Sequence, residues 1–227
     1  MTQKLTILFD LDGTLVDTAP DLINAHNHVM EKFGYKSKSE DEIKSLIGKG
    51  AGAMISRSLW KSAKLELKKI KEKEIKDKMV IEFVDYYGKN ILVKSKLING
   101  TKEFLIWCKK NKISMGVCTN KQEHLAIDLL KKIGINNYFE YVAGSDTFDY
   151  CKPDARHLTS VIEIMGGDIK KTIMIGDSEV DSKSAENASL PFILLEEGYT
   201  DVKTSQIKFD HLVKDFNGLD KIITNYL

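Results

Sequence analysis

Short apolar runs at 5–9, 113–118, 141–144, 172–176 and 192–195 alternate with segments of helical period at 102–110, 123–133, 155–165 and 181–188. Runs this short, bounded by glycines and polar residues, read as buried strands and not as helices. Strand and helix in alternation bury a sheet on both faces. The chain is therefore expected to be α/β, with a doubly wound parallel, Rossmann-like sheet as its core.

One stretch breaks the alternation. Residues 17–90 contain no good strand pattern. A helix is expected over 21–33, with Pro20 well placed at its first turn. Ser39-Glu40-Asp41-Glu42 forms a capping box that opens a second helix, expected to end near Gly48. Helices over 51–63 and 65–87 complete the set. The last is rich in lysine, but Glu66, Glu72, Glu74 and Asp77 intersperse the lysines, so it reads as a solvated outer face. This predicts two units: a catalytic core of 1–16 and 91–227, and an inserted α-helical cap of 17–90. An insertion directly after the first strand overhangs the ligand-binding edge of the sheet, which is where a lid belongs.

Four segments carry reactive side chains to that edge: Phe9-Asp10-Leu11-Asp12-Gly13-Thr14, Cys118-Thr119-Asn120, Lys152-Pro153 and Gly176-Asp177-Ser178-Glu179-Val180-Asp181. Each ends an expected strand or lies just beyond one. Asp10 and Asp12 can both face the edge only if the backbone turns sharply, which Gly13 permits. Two carboxylates so close repel unless a cation neutralises them, and an oxygen-seeking divalent ion such as Mg2+ is the simple solution. Alone, Asp-x-Asp-Gly is a turn or half a calcium loop; the remaining ligands of an EF-hand are missing here. Asp181 suits a helix start, where the dipole favours acids by ~0.3–1 kcal/mol, whereas Asp177 is not explained that way. Thr119 and Asn120 at a helix start suit a phosphate oxygen, though alone they are an ordinary N-cap. Lys152 near a helix N-terminus opposes the dipole, and a phosphoryl group would explain it.

These segments, in this order, resemble the haloacid dehalogenase-like superfamily across essentially the whole chain. The segments Leu15-Val16-Asp17-Thr18-Ala19-Pro20-Asp21-Leu22, Leu46-Ile47-Gly48-Lys49-Gly50, Gly144-Ser145-Asp146-Thr147 and Gly198-Tyr199-Thr200 are similar to its phosphoglycolate phosphatase group. One departure is Lys96-Leu97-Ile98-Asn99-Gly100, where relatives often carry a proline-containing turn. The resemblance implies a magnesium-dependent phosphatase for a small phosphorylated metabolite, with 2-phosphoglycolate the best single choice. It implies Asp10 as nucleophile and Asp12 as general acid and base. Asp10, Asp177 and the carbonyl of Asp12 would hold Mg2+, with Asp181 acting through metal-bound waters. Thr119, Asn120 and Lys152 would hold the phosphoryl group.

Alternatives on the same core are a nucleotidase or pyrophosphatase and a β-phosphoglucomutase-like phosphotransferase. A non-enzymatic phosphoacceptor domain is a distant one, since receivers carry their acceptor on a later strand and lack such an insertion. Gly48-Lys49-Gly50 fails the P-loop pattern because no Ser or Thr follows the lysine. Two readings remain for it: a cap loop whose N–H groups face the substrate's anionic end, or a simple helix break. His26 and His28, two apart on a helix, point different ways. Arg57 and Arg156 are expected at the surface.

Composition excludes other classes. The net charge of +1, from 34 basic and 33 acidic residues, suggests no nucleic-acid or anionic-membrane partner. No apolar run is long enough to span a bilayer. The first residues run straight into a strand without a signal-peptide layout. Cys108, Cys118 and Cys151 form no CxxC pair and are expected to be reduced. A cytoplasmic monomer or homodimer is the expectation.

Overall fold

A computed structural model describes residues 4–60 and 70–227. Strand β1 (Thr6–Phe9) leads through β2 (Val16–Asp17) into four helices: α1 (Ala19–Lys32), α2 (Glu40–Lys44), α3 (Ala51–Trp60) and α4 (Ile70–Lys89). The chain returns through β3 (Lys96–Leu97) and α5 (Thr101–Lys110). It continues with β4 (Ser114–Cys118), α6 (Glu123–Lys132), β5 (Tyr141–Ala143), α7 (Ala155–Ile164), β6 (Thr172–Gly176), α8 (Glu179–Asn187) and β7 (Phe192–Leu195). β8 (His211–Val213) and α9 (Leu219–Ile223) follow.

The main sheet has six strands in the order β5-β4-β1-β6-β7-β8, and every pairing is parallel. Side chains alternate between its faces, as the pleat requires. Ile7 and Phe9 of β1, with Ile173 and Ile175 of β6, pack with Phe104, Leu105 and Leu219. Leu8 and Met174 point the other way, against Leu158, Val161 and Ala185 of α7 and α8. Helices thus cover both faces, which is the doubly wound arrangement. The chain runs from β1 outward to β4 and β5, then crosses to β6, β7 and β8. The strand order reverses at β1, and the crevice beyond its carboxyl end is the place for a ligand.

The helical insertion is tied at its base by an antiparallel ribbon, Val16 to Leu97 and Asp17 to Lys96. Buried Asp21 adds a second tie. Its carboxylate accepts from the backbone N–H groups of Val93, Lys94 and Ser95 at 2.9–3.0 Å and from the Ser95 hydroxyl at 2.7 Å. Met79, Phe83 and Tyr87, one helical stripe of α4, are buried with Ala25 and Val29 of α1 and Ile55 of α3. Exposed Lys73, Glu74, Asp77 and Lys78 occupy the opposite side of α4, which is the solvated face expected of this helix.

The expected strands match to within a residue, and several helices differ at their ends. The capping box at Ser39 is formed, but α2 stops at Lys44 instead of reaching Gly48. There Leu46 and Ile47 close i→i+3 turns onto Ile43 and Lys44. α8 begins at Glu179, because Ser178 caps it and Asp181 is its third residue. The expected helical stretches at 61–63 and 65–69, with Glu66, lie outside the described residues. The β2–β3 ribbon, β8 and α9 have no counterpart among the expected elements.

Candidate active site

The carboxyl ends of β1, β4 and β6 deliver the reactive side chains to one place. Asp10 continues β1, donating its N–H to the Ile175 carbonyl at 2.9 Å. The chain then reverses at Gly13, whose φ of +87° is open to glycine and costly for other residues. A side chain there would also meet the Asp177 carboxylate at 2.5 Å. The turn places Asp10 and Asp12 on the wall of a single cavity with Thr119 and Asn120.

Lys152, two residues before the Asp154 cap of α7, is buried. Its ammonium reaches Asp10 Oδ1 and Asp181 Oδ1, each at 2.6 Å. Asp181 also accepts at Oδ2 from the Ser178 hydroxyl at 2.7 Å and the Ser178 N–H at 3.1 Å. It is therefore both a helix cap and a lysine partner. Asp177 accepts from the Thr14 hydroxyl at 2.8 Å and the Tyr199 N–H at 2.6 Å. The Tyr199 hydroxyl in turn contacts Asp17 and the Ala19 N–H at the base of the insertion.

Charge is unbalanced in this cluster. Carboxylate oxygens of Asp10, Asp177 and Asp181 lie within 4.8 Å of one another, and all three residues are buried. Burial raises the Asp10 carboxyl; Lys152 pulls it back, Asp181 and Asp12 push it up, and the outcome is about 7. Burial, then the charges of Asp10 and Asp181, hold Asp177 well above the ordinary carboxylate range despite its Tyr199 and Thr14 donors. A bound divalent cation reverses both effects. The donors are all oxygen, which is the set that Mg2+ prefers. These residues fit the metal that the sequence implies.

Asp12 faces a different partner. Its Oδ1 accepts from the Thr18 hydroxyl at 2.7 Å and pairs with the Lys121 ammonium at 2.8 Å. Lys121 also donates to the Tyr87 hydroxyl at 3.1 Å and sits 4.5 Å from the centre of that ring. Burial opposes the Lys121 charge, but Asp12 and Tyr87 outweigh it and keep the ammonium protonated. The roles of Lys121, Tyr87, Thr18 and Tyr199 were not expected from sequence. Lys121 has a local signal, since it directly follows Thr119-Asn120 at the strand end. Tyr87 had only its place on the buried stripe of α4.

The cavity has a volume of about 260 Å³. Gly48, Lys49 and Gly50 line it, and the Gly48 carbonyl accepts from the Asn120 side chain at 3.2 Å. The Lys49 ammonium is engaged by Glu179 at 2.8 Å and Asp201 at 3.3 Å. Arg57 is also paired with Asp201, and Arg156 pairs with Asp154 on the surface. His26 and His28 take separate partners, Ser58 and Glu82. The three cysteines are free. No helix among the described residues is long and apolar enough to cross a membrane.

A family model described as haloacid dehalogenase-like hydrolase matches residues 7–195. A phosphoglycolate phosphatase of Agrobacterium fabrum is 39% identical over 93% of this chain and 89% of its own length. One of Caulobacter vibrioides is 35% identical over 95% of this chain and 89% of its own. The crystal structure of "a predicted phosphoglycolate phosphatase" from Haemophilus somnus superposes with a TM-score of 0.88 at 30% identity, covering 98% of this chain and 99% of that one.

Proposed function

The chain belongs to the haloacid dehalogenase-like hydrolase family, and from that premise we propose that it is a magnesium-dependent phosphatase acting on 2-phosphoglycolate. The observation that carries this reading is the Lys152 ammonium held 2.6 Å from both Asp10 and Asp181, with Asp177 completing a buried acidic cluster. Phosphoryl transfer needs little beyond an in-line nucleophile and fixed positive charge around the equatorial oxygens. Similarity to relatives named phosphoglycolate phosphatase supports the substrate choice.

Asp10 attacks phosphorus with its carboxylate oxygen, giving an aspartyl phosphate. Asp12 gives its proton to the departing alkoxide, then takes one from the water that opens the phosphoenzyme. Thr119, Asn120 and Lys152 hold the phosphoryl oxygens. Asp10, Asp177 and the Asp12 carbonyl would hold Mg2+, which when bound would neutralise charge on the phosphoryl group, and Asp181 would act through its waters. The insertion, 17–90, serves as the cap over a core of 1–16 and 91–227. The backbone of Gly48, Lys49 and Gly50 contributes to the substrate wall.

A panel of 2-phosphoglycolate, sugar phosphates, nucleotides and pyrophosphate tests the substrate, with and without chelator. Preferred release of phosphate from 2-phosphoglycolate is expected, and preference for any other member rejects that choice. Asp10→Asn is expected to abolish turnover while leaving the fold intact. Full activity in that variant removes Asp10 as the nucleophile.

A further inference from the structure

We propose that Lys121 is the residue that recognises the carboxylate of the substrate, and so selects 2-phosphoglycolate over phosphomonoesters that lack a second anionic group. This rests on the substrate reading given above. A phosphoester of a hydroxy acid carries a second anionic group, which must enter the cavity with its charge matched, because a buried unpaired carboxylate is very costly.

Among the described residues, Lys49 and Lys121 are the cationic side chains that line the cavity. Lys49 is shared between two carboxylates of the core, Glu179 at 2.8 Å and Asp201 at 3.3 Å. Lys152, below the cavity, is likewise shared between Asp10 and Asp181. Lys121 has a single carboxylate partner, Asp12. Losing it would not release Asp12, whose same oxygen is held by the Thr18 hydroxyl at 2.7 Å. The lysine can therefore turn to a ligand while the proton-transfer group keeps its place.

Its own place is also kept. The Tyr87 hydroxyl at 3.1 Å and the ring face hold the ammonium on the cavity wall, where a cation over an aromatic face is stabilised. Tyr87 belongs to α4 of the insertion, and Lys121 follows β4 of the sheet. The charge thus stands where the two walls meet, next to the group that protonates the leaving oxygen. In phosphoglycolate the carboxylate is one carbon from that oxygen. Val80, Phe83, Val84 and Leu125 make much of the remaining wall apolar and offer a carboxylate no partner through their side chains.

The test compares kcat/KM for 2-phosphoglycolate and ethyl phosphate, which are similar in size but differ in the carboxylate, in wild type and Lys121→Gln. The ratio of the two substrates is independent of the fraction of active protein, so partial misfolding does not disturb it. Losing a charge-assisted contact predicts that the wild-type preference falls about 10- to 100-fold, chiefly through KM for phosphoglycolate. Lys121→Arg, which keeps the charge, is expected to recover part of the preference. If both substrates decline together in Lys121→Gln, the lysine only orients Asp12 and the proposal is overturned. A preference that survives the substitution overturns it as well and moves the carboxylate to the backbone N–H groups of residues 48–53, at the start of α3. A wild-type enzyme with no preference rejects the substrate reading first, and this proposal with it.

Discussion

Gly198→Ala puts the acidic cluster under a measurable load. The backbone at 198–199 presses on Asp177, and the Tyr199 N–H donates to its Oδ2 at 2.6 Å. A methyl group at 198 would stand 2.6 Å from Asp177 Cγ and closer still to its Cβ, where ordinary contact begins at 3.4 Å. The carboxylate must therefore shift by about 0.8 Å or more, and a displacement near 1 Å at a reacting centre costs on the order of 10²-fold. Metal ligands tolerate only about 0.2 Å. The expected outcome is a 10- to 100-fold rise in the Mg2+ concentration for half-maximal activity and a kcat about 10²-fold lower at saturation. The assay is phosphate release against Mg2+, with thermal unfolding to show that the variant is folded. If Gly198→Ala keeps its Mg2+ response and kcat within about 3-fold of wild type, Asp177 is not a metal ligand whose position governs the rate.

Asp21→Ala removes the acceptor for three N–H groups and a hydroxyl; because Val93 and Lys94 are exposed and can be rehydrated, the expected loss is about 2–4 kcal/mol, read by urea unfolding. Burial alone would raise the Asp21 carboxyl, but the donors of Lys94, Ser95 and Val93 more than offset it and hold it low. That stabilisation should be present above the ordinary carboxylate range and disappear as pH falls through the lowered value; a loss under about 0.5 kcal/mol would show that this tie does not anchor the insertion. His157 is buried, its Nε2 donates to the Gly144 carbonyl at 3.1 Å, and its Nδ1 has no partner. Burial, then the Lys152 charge, lowers it from 6.5 to about 4, so the unfolded chain binds the proton first and stability should fall by up to about 3 kcal/mol as pH drops across that window. His157→Gln should remove that share of the slope, and identical pH profiles for variant and wild type would show that the histidine titrates normally. Chelator should abolish turnover and added Mg2+ restore it; activity that is indifferent to both excludes the metal.

What the sequence made legible was whatever depends on neighbours along the chain. Asp10, Thr119 and Asp177 each close a short apolar run, so a strand-by-strand reading places them at one edge; Lys152 lies beyond its strand, just before a helix start, and was legible as a lysine that opposes the helix dipole. The capping box at Ser39 is equally local, and it is formed. The misses have distant partners. The 48–50 loop was read for its backbone N–H groups, and nothing near Lys49 in the sequence announces that Glu179 and Asp201, far along the chain, take its ammonium. The β2–β3 ribbon has two residues per strand, too few for any period to register. Lys121 draws its meaning from Tyr87, a residue that the sequence marked only as the end of an expected helix of the insertion. The same division separates chemistry from specificity. In the mechanism proposed above, the reaction falls to side chains at or near strand ends, whose positions follow from the alternation of strand and helix. In the same proposal, substrate choice is assigned to the seam between sheet and insertion, where Tyr87 meets Lys121 and Asn120 meets the Gly48 carbonyl. Substitutions along that seam should therefore alter which phosphomonoester is preferred while leaving the Mg2+ requirement unchanged. Substitutions around Asp177 should do the opposite.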